Sequence, residues 1–270
     1  LVDEVMVRGA LDFGAASDGD GDRNMILGRH CYVSPSDSLA LLAAHARTIP
    51  GYADGLAGVA RSMPTSRAVD RVAAALDIPC YETPTGWKFF CSLLDAGRIT
   101  LCGEESFGTG SSHVREKDGL WAVLCWLNVL ARTGESVRAL LEAHWQRFGR
   151  DYYTRHDYEE VSVASGEALM ASLRDRLATL PGTRIAGRLI LSADDFAFTD
   201  PVDGSTASAQ GIRLLLDGDA RIVVRLSGTG TRGATIRLYL EERGTGTPRV
   251  DDDVQLRLAG VIAAALEERK

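Results

Sequence analysis

The chain has 270 residues, 45% of them hydrophobic and 25% charged. This is ordinary globular material with room for two domains or a little more, and it contains no low-complexity stretch. A formal net charge of −7 excludes a strongly basic nucleic-acid footprint, although a local positive pocket can still capture a small anion. The five cysteines, Cys31, Cys80, Cys91, Cys102 and Cys125, form no Cys-x-x-Cys pair and fall mostly within apolar runs. They are expected to be reduced core residues of a cytosolic protein. The longest apolar stretch, 120–127, is too short to cross a bilayer, and no signal core leads the chain. A soluble, cytoplasmic protein without membrane or nucleic-acid partners is therefore expected.

Leu1, Val2, Val5 and Met6 share one helical face, and the chain then enters a strand at 13–17. With no initiator Met and too little here for a core, the chain is expected to start inside a domain. The run Asp18-Gly19-Asp20-Gly21-Asp22-Arg23 follows. Alternating glycines let the backbone curl so that the three carboxylates converge on one hard cation, and the arginine suggests a phosphate beside it. A calcium EF-hand loop fails, because its turn needs Gly where Arg23 stands and its bidentate acid falls on Arg29. A solvated acidic turn is the plain alternative.

Met25 to Gly28 read as a short apolar turn, and Ser34-Pro35-Ser36-Asp37 offer caps for a helix over 38–48. A strand ending near Arg61, a helix at 66–76, a strand at 78–81, a helix at 87–95 closed by Gly97 and a strand at 99–102 follow. This alternation predicts a parallel sheet covered on both faces. After a long loop come an apolar helix at 118–131, whose tryptophan and leucine stripe reads as core, and a helix at 136–148. Gly149-Arg150-Asp151 marks a boundary. Beyond it, a helix at 166–180, strands at 188–191, 212–216, 220–226 and 234–241, a turn at Asp217-Gly218 and a final helix at 254–268 predict an α+β domain with an antiparallel sheet.

Three further loops carry chemistry. Gly103-Glu104-Glu105-Ser106-Phe107-Gly108 follows a buried strand, where the carboxyl ends of a parallel sheet bind ligands, and its acids and hydroxyl suit sugar hydroxyls. Glu82-Thr83-Pro84-Thr85-Gly86-Trp87-Lys88 ends the preceding strand, and adjacent parallel strands would bring the two together. Arg225-Leu226-Ser227-Gly228-Thr229-Gly230-Thr231, with Arg237 in the next strand, has the backbone N–H groups, hydroxyls and guanidinium forks of a phosphate cradle. It is no Walker loop, since no Gly-Lys-Ser/Thr follows. Arg115 and Lys117, before a helix start, suit either a phosphate or a surface salt bridge. The histidines lack metal-ligand spacing. His45 and His144 read as surface or interface residues, and His113 as a residue within reach of a ligand.

Together these segments, with Arg115-Glu116-Lys117-Asp118-Gly119, resemble the α-D-phosphohexomutase superfamily and its glucose-type phosphoglucomutases. Five motifs in the family's order carry the likeness, which is weakest between about Ser192 and Ile212. It implies Mg²⁺ held by Asp18, Asp20 and Asp22, with Arg23 and Lys117 acting at the phosphoryl group. Thr85, Gly86, Glu104 and Ser106 would position the sugar. Arg225, Ser227, Gly228, Thr229 and Arg237 would grip the phosphate that is not transferred. The implied reaction interconverts α-D-glucose 1-phosphate and glucose 6-phosphate through a phosphoserine and glucose 1,6-bisphosphate.

The implied fold class is α/β: the end of domain 2 at 1–37, a complete doubly wound domain 3 at 38–149, and an α+β domain 4 at 150–270. The family's Thr-Ala-Ser-His-Asn-Pro phosphoserine segment is absent from these residues, and Thr206-Ala207-Ser208 continues as Ala209-Gln210. The expectation is the C-terminal half of a phosphoglucomutase, inactive without its N-terminal half as partner. The rival readings are a non-catalytic structural relative, a free-standing sugar-phosphate binding module, and a mutase for mannose or pentose phosphates.

Overall fold

The computed structural model describes residues 1–230 and 233–267. They divide into two compact units: Leu1–Arg150 with Asp200–Gly204 and Thr247–Asp251, and Asp151–Thr199 with Ser205–Gly246 and Asp252–Lys270.

The first unit opens on a π-helical turn, Asp3–Val7, that buries Val5. Strands β1 (Phe13–Ser17), β2 (Asn24–Gly28) and β3 (Cys31–Val33) form an antiparallel sheet in that order. The stretch expected as an apolar turn is thus the central strand β2. Paired on both sides, it buries Ile26 and Leu27, and five residues show too little periodicity to betray a strand. Helix α1 (Pro35–Ala44) begins earlier than expected, because Ser34 caps it through Asp37 N at 3.1 Å and Pro35 supplies a preset first turn.

A second sheet is built from β4 (Val59–Ser62), α2 (Ala68–Leu76), β5 (Cys80–Thr83), α3 (Trp87–Asp95), β6 (Leu101–Gly103) and β7 (Thr109–Ser111). Its order is β5-β4-β6-β7, with β4 parallel to both β5 and β6, and β7 antiparallel at the edge. Alternate side chains divide between the two faces. Val59 and Leu101 cluster with Val69 and Val72 of α2 and with Leu39 of α1, whereas Ala60 and Cys102 cluster with Phe90, Leu93 and Leu94 of α3.

Helices α4 (Gly119–Thr133) and α5 (Val137–Phe148) close this unit. Trp126, Val129, Leu141 and Trp145 pack with Ile26 and Val33. The leucine half of the expected core stripe is corrected. Leu120, Leu124 and Leu127 are 66%, 59% and 43% exposed, since α4 turns Ala122, Cys125, Trp126 and Val129 inward instead. His144, expected as a surface or interface residue, is buried within the first unit; burial and then the neighbouring His45 lower its pKa to about 3. Cys31, Cys102 and Cys125 are buried as expected, but Cys80 is exposed.

The second unit holds β8 (Asp151–Val161), α6 (Val163–Arg176), β9 (Arg184–Ile185), β10 (Arg188–Asp195), β11 (Phe198–Thr199), β12 (Thr206–Ala207), β13 (Ile212–Leu216), β14 (Ala220–Gly230), β15 (Gly233–Arg243), α7 (Val254–Arg257) and α8 (Ala259–Glu267). Six strands pair in the order β8-β15-β14-β13-β10-β9, every neighbour antiparallel. One face buries Leu214, Ile222, Val224, Ile236 and Leu238 under Met170 and Leu173 of α6 and Val261 and Ala264 of α8. Strand β8 escapes sequence reading because its polar run Asp151 to Val161 is half-exposed along most of its length. The expected single closing helix is broken at Leu258, and its last residue, Glu268, lies outside the described residues. Among the described residues no helix is long and apolar enough to cross a membrane.

Candidate functional site

The acidic loop joins β1 to β2. Gly21, at φ +78°, donates from its amide to Asp18 O at 3.2 Å and makes the tight turn that only glycine enters freely. The carboxylate oxygens of Asp18, Asp20 and Asp22 come within 4.8 Å of one another. Arg23 N donates to Asp18 Oδ1 at 3.1 Å, and that backbone bond, ahead of smaller causes, holds the Asp18 carboxyl below the usual range. Asp22 Oδ1 is buried without a hydrogen-bond partner, while Asp22 Oδ2 meets Lys117 Nζ at 3.0 Å. Three hard oxygens at this spacing, one of them buried with no hydrogen bond and only Arg23 Nε at 3.7 Å, fit a small divalent cation. The Arg23 guanidinium is half-exposed, with Nε 3.6 Å from Asp18 Oδ2.

Two neighbours fix this loop. Asn24 donates from its amide to Phe107 O at 3.0 Å and from Nδ2 to the same oxygen at 3.1 Å, which seats the loop on the Glu104–Gly108 segment. Gly119 N, at the start of α4, donates to Gly21 O at 3.0 Å. The positive N-terminal end of α4 therefore meets the backbone of the acidic loop. A Cβ at Gly119 would lie 2.4 Å from Arg23 O, and one at Gly108 would lie 2.5 Å from Lys117 Cδ. Asp118 caps α4 by accepting from Trp121 N at 2.8 Å, and it also accepts from His113 Nε2 at 3.0 Å. Burial pushes the Asp118 carboxyl up, but the His113 and Trp121 bonds outweigh it and leave the pKa lowered.

The two sugar-type loops meet, though not as expected. β4 lies between β5 and β6, so the loops are not on adjacent strands. They join through side chains instead: Glu104 Oε1 accepts from Gly86 N at 3.2 Å, and Glu104 and Glu105 are both buried. Thr85 Oγ1 and Trp87 Nε1 are buried without hydrogen-bond partners, an unmet capacity, and Ser106 is half-buried. Glu82 turns away to Arg61, whose buried guanidinium also takes Asp70 bidentately at 2.6 and 2.7 Å. Arg115 pairs with Asp95 at 2.5 Å, the surface salt-bridge alternative.

Sequence reading missed the loop after β4. Thr65 Oγ1 accepts from Glu105 N at 2.9 Å and meets Ser62 Oγ at 2.7 Å. The run Pro64-Thr65-Ser66 after an apolar strand was the available signal, but its weight depends on knowing that β4 is central.

In the second unit, Arg225 and Arg237 stand directly opposite one another on β14 and β15. Arg225 donates to Gln210 O at 3.2 Å and to Tyr239 OH at 3.4 Å. Arg237 Nε is buried without a hydrogen-bond partner, 3.7 Å from Asp157 Oδ2. Opposed like charges destabilise a strand pair unless an anion offsets them. Ser227 bonds Thr235 O at 3.4 Å, Gly228 has φ +65°, Thr229 lies within β14, and Thr231 lies outside the described residues.

Comparison with known proteins agrees with this layout. The family model for phosphoglucomutase/phosphomannomutase alpha/beta/alpha domain III matches residues 35–148, and that for the phosphoglucomutase-1 C-terminal domain matches residues 150–270. The chain is 58% identical to a phosphoglucomutase of Rhizobium radiobacter over 98% of this chain and 49% of the relative. It is 51% identical to phosphoglucomutase-1 of Homo sapiens over 98% of this chain and 48% of the relative. The crystal structure of the exocytosis-sensitive phosphoprotein pp63/parafusin (phosphoglucomutase) from Paramecium, in its open form, superposes with a TM-score of 0.85 at 49% identity, covering 95% of this chain and 45% of that one. A putative phosphomannomutase from Thermus thermophilus, at 22% identity and a TM-score of 0.63, shares the fold. The chain spans about half the length of the curated relatives it matches. It belongs to the phosphoglucomutase family and corresponds to the C-terminal half of its members.

Proposed function

We propose that this chain supplies the metal, sugar and distal-phosphate sites of a phosphoglucomutase that interconverts α-D-glucose 1-phosphate and glucose 6-phosphate through a phosphoserine and glucose 1,6-bisphosphate. The observation that carries this reading is the convergence of Asp18, Asp20 and Asp22 beside Lys117 and the N-terminus of α4. Residues 1–37 end the family's second domain, 38–149 form its third and 150–270 its fourth. The three carboxylates would hold Mg²⁺, and Asp22 Oδ1, buried without a hydrogen bond and 3.7 Å from Arg23 Nε, has acceptor capacity to spare. When bound, Mg²⁺ offsets negative charge on the transferring phosphoryl group.

Arg23 and Lys117 add fixed positive charge at the same place. Lys117 is held by Asp22 and by the groove that Gly108 leaves for its stem, so its ammonium is preorganised. Glu104 reads sugar hydroxyls while anchored by Gly86 N, and Thr85 and Ser106 add hydroxyls beside it. The opposed Arg225 and Arg237, with Ser227, Gly228 and Thr229, bind the phosphate that stays in place. Backbone-rich, glycine-containing binding there tolerates either end of a sugar bisphosphate, which the reaction demands.

The 270 residues contain no phosphoserine segment, so on this reading they give no turnover by themselves. The test is a coupled assay for glucose 6-phosphate from glucose 1-phosphate with Mg²⁺ and glucose 1,6-bisphosphate. Turnover by the full-length protein and none by the 270 residues is expected. Turnover by this chain alone refutes the division of labour, and none by the full-length protein favours a non-catalytic relative.

A further inference from the structure

We propose that His113 is a positioning residue for the reacting end of the site: its ring, held between Ser111 and Asp118, fixes the first turn of α4 against the acidic loop. The segment 112–117 has no regular structure, yet it carries Lys117, which meets Asp22, and leads directly into the helix whose Gly119 N donates to Gly21 O of the acidic loop. His113 is the side chain that spans this segment. Its Nδ1 lies 3.1 Å from Ser111 Oγ at the end of β7, and its Nε2 lies 3.0 Å from Asp118 Oδ2 at the cap of α4. The ring also stacks on Trp121, with centroids 5.2 Å apart and planes at 23°.

The chemistry of the partners orders these bonds. A carboxylate only accepts, so the nitrogen facing Asp118 carries the hydrogen, and in the neutral ring Nδ1 then accepts from the Ser111 hydroxyl. Ser111 Oγ, itself buried, meets Tyr52 OH at 2.5 Å, and Tyr52 OH accepts from Trp121 Nε1 at 2.9 Å, an indole that can only donate. The donors therefore run in one direction, from Trp121 through Tyr52 and Ser111 to His113, and His113 Nε2–H donates in turn to Asp118. The circuit starts and ends on the first turn of α4. Asp118 divides its oxygens, Oδ2 to the imidazole and Oδ1 to the Trp121 amide. Without the imidazole, Oδ2 turns to water and the cap loses its fixed orientation.

The first turn of α4 is also where alignment matters. Gly119 N holds Gly21 O, and Lys117 Nζ holds Asp22. A small rotation of that turn moves both contacts at once, and displacements near 1 Å are known to reduce turnover about 100-fold. His113 keeps 35% of its side-chain surface in solvent, so its removal is expected to have a smaller effect. The functional part of this inference rests on the phosphoglucomutase reading; the placement of α4 does not.

The experiment compares His113→Ala, His113→Gln and His113→Asn in the full-length protein. The Gln amide nitrogen reaches the place of Nε2 and restores the donor to Asp118, whereas the shorter Asn reaches only the Ser111 side. Amide hydrogen exchange at Gly119 and Trp121 is expected to rise about fivefold in His113→Ala and His113→Asn, in proportion to a weakened cap. It returns to the wild-type rate in His113→Gln. In turnover, His113→Ala is expected to lower kcat about tenfold, with KM for glucose 1-phosphate within about twofold, and Gln rescues it. Unchanged exchange at Gly119 in His113→Ala, or equal behaviour of Gln and Asn, overturns the inference. Should the wild-type protein show no turnover, the phosphoglucomutase reading fails, and the exchange data still decide whether His113 places α4.

Discussion

Replacing Gly119 by Ala separates a local preference from a tertiary constraint. At the first position of α4, Ala favours the helix by up to about 1 kcal/mol over Gly. The added Cβ, however, would lie 2.4 Å from Arg23 O and 2.7 Å from Gly21 O, where ordinary contact begins near 3.4 Å. Both neighbours are backbone, so relief requires the acidic loop to move by about 1 Å and to give up the 3.0 Å bond from Gly119 N to Gly21 O. Overpacking of this kind costs about 1–3 kcal/mol. With the helix gain set against it, Gly119→Ala is expected to be destabilised by about 1–2 kcal/mol.

The exposed part of the loop around Asp18 and Asp20 can yield, which limits the loss of stability but displaces carboxylates. Turnover should therefore fall more than stability does, on the order of 100-fold in kcat. Urea unfolding followed by tryptophan fluorescence measures the stability term cleanly. Trp87, Trp121, Trp126 and Trp145 all belong to the first unit, so the signal reports that unit alone. Gly19→Ala is the control on the same loop: its Cβ meets nothing within 4 Å and its φ is not in the left-handed region. Wild-type stability and turnover in Gly119→Ala would refute the seating of the acidic loop on α4.

Three other outcomes follow from the same geometry. Arg61→Met leaves Asp70 and Glu82 without their buried guanidinium and should cost about 2–4 kcal/mol in the same urea assay, below the full buried-pair penalty because both acids reach solvent; a change under about 0.5 kcal/mol would count against it. His144 has a folded pKa of about 3 against an ordinary 6.5, so the unfolded chain takes up its proton first as pH falls. Its stabilisation is complete above about 6.5 and is lost between about 6.5 and about 3. His144→Leu should show a flatter acid slope there, and an unchanged slope argues against a neutral buried imidazole. Arg237→Met removes one of two opposed arginines, so its thermal midpoint should hold or rise while KM for glucose 1-phosphate increases about tenfold or more, the worth of a charge-assisted bond; an unchanged KM contradicts the phosphate role.

Much of this protein was legible in its sequence where local chemistry and tertiary role coincide. The helix Trp87–Asp95 and the strand Ile212–Leu216 appeared with their observed bounds, because each has one strong apolar period between clear breakers. The glycine-spaced acids and the Glu-Glu-Ser loop announced themselves by density of polar groups. What could not be read depends on neighbours far along the chain. β8 is polar along its length and is a strand only because β15 pairs with it. Leu120, Leu124 and Leu127 have the spacing of a core stripe and face outward, because the packing of α4 is set by Trp126 against Ile26 and Leu41. Thr65 and Arg61 support the sugar-type loops only because β4 is the strand between β5 and β6, a topological fact that no local pattern encodes.

On the proposed reading, Asp18, Asp20 and Asp22 form the cation site of the reacting end, seated on α4 and on the Glu104–Gly108 segment. Amide NMR of the full-length protein titrated with Mg²⁺ tests it most directly. Saturable shifts concentrated at Asp18 to Arg23, Gly108 and Gly119 are expected, abolished in Asp20→Asn and Asp22→Asn without loss of the folded spectrum. Shifts of the same size in those variants, or shifts that leave these amides untouched while others move, would contradict it.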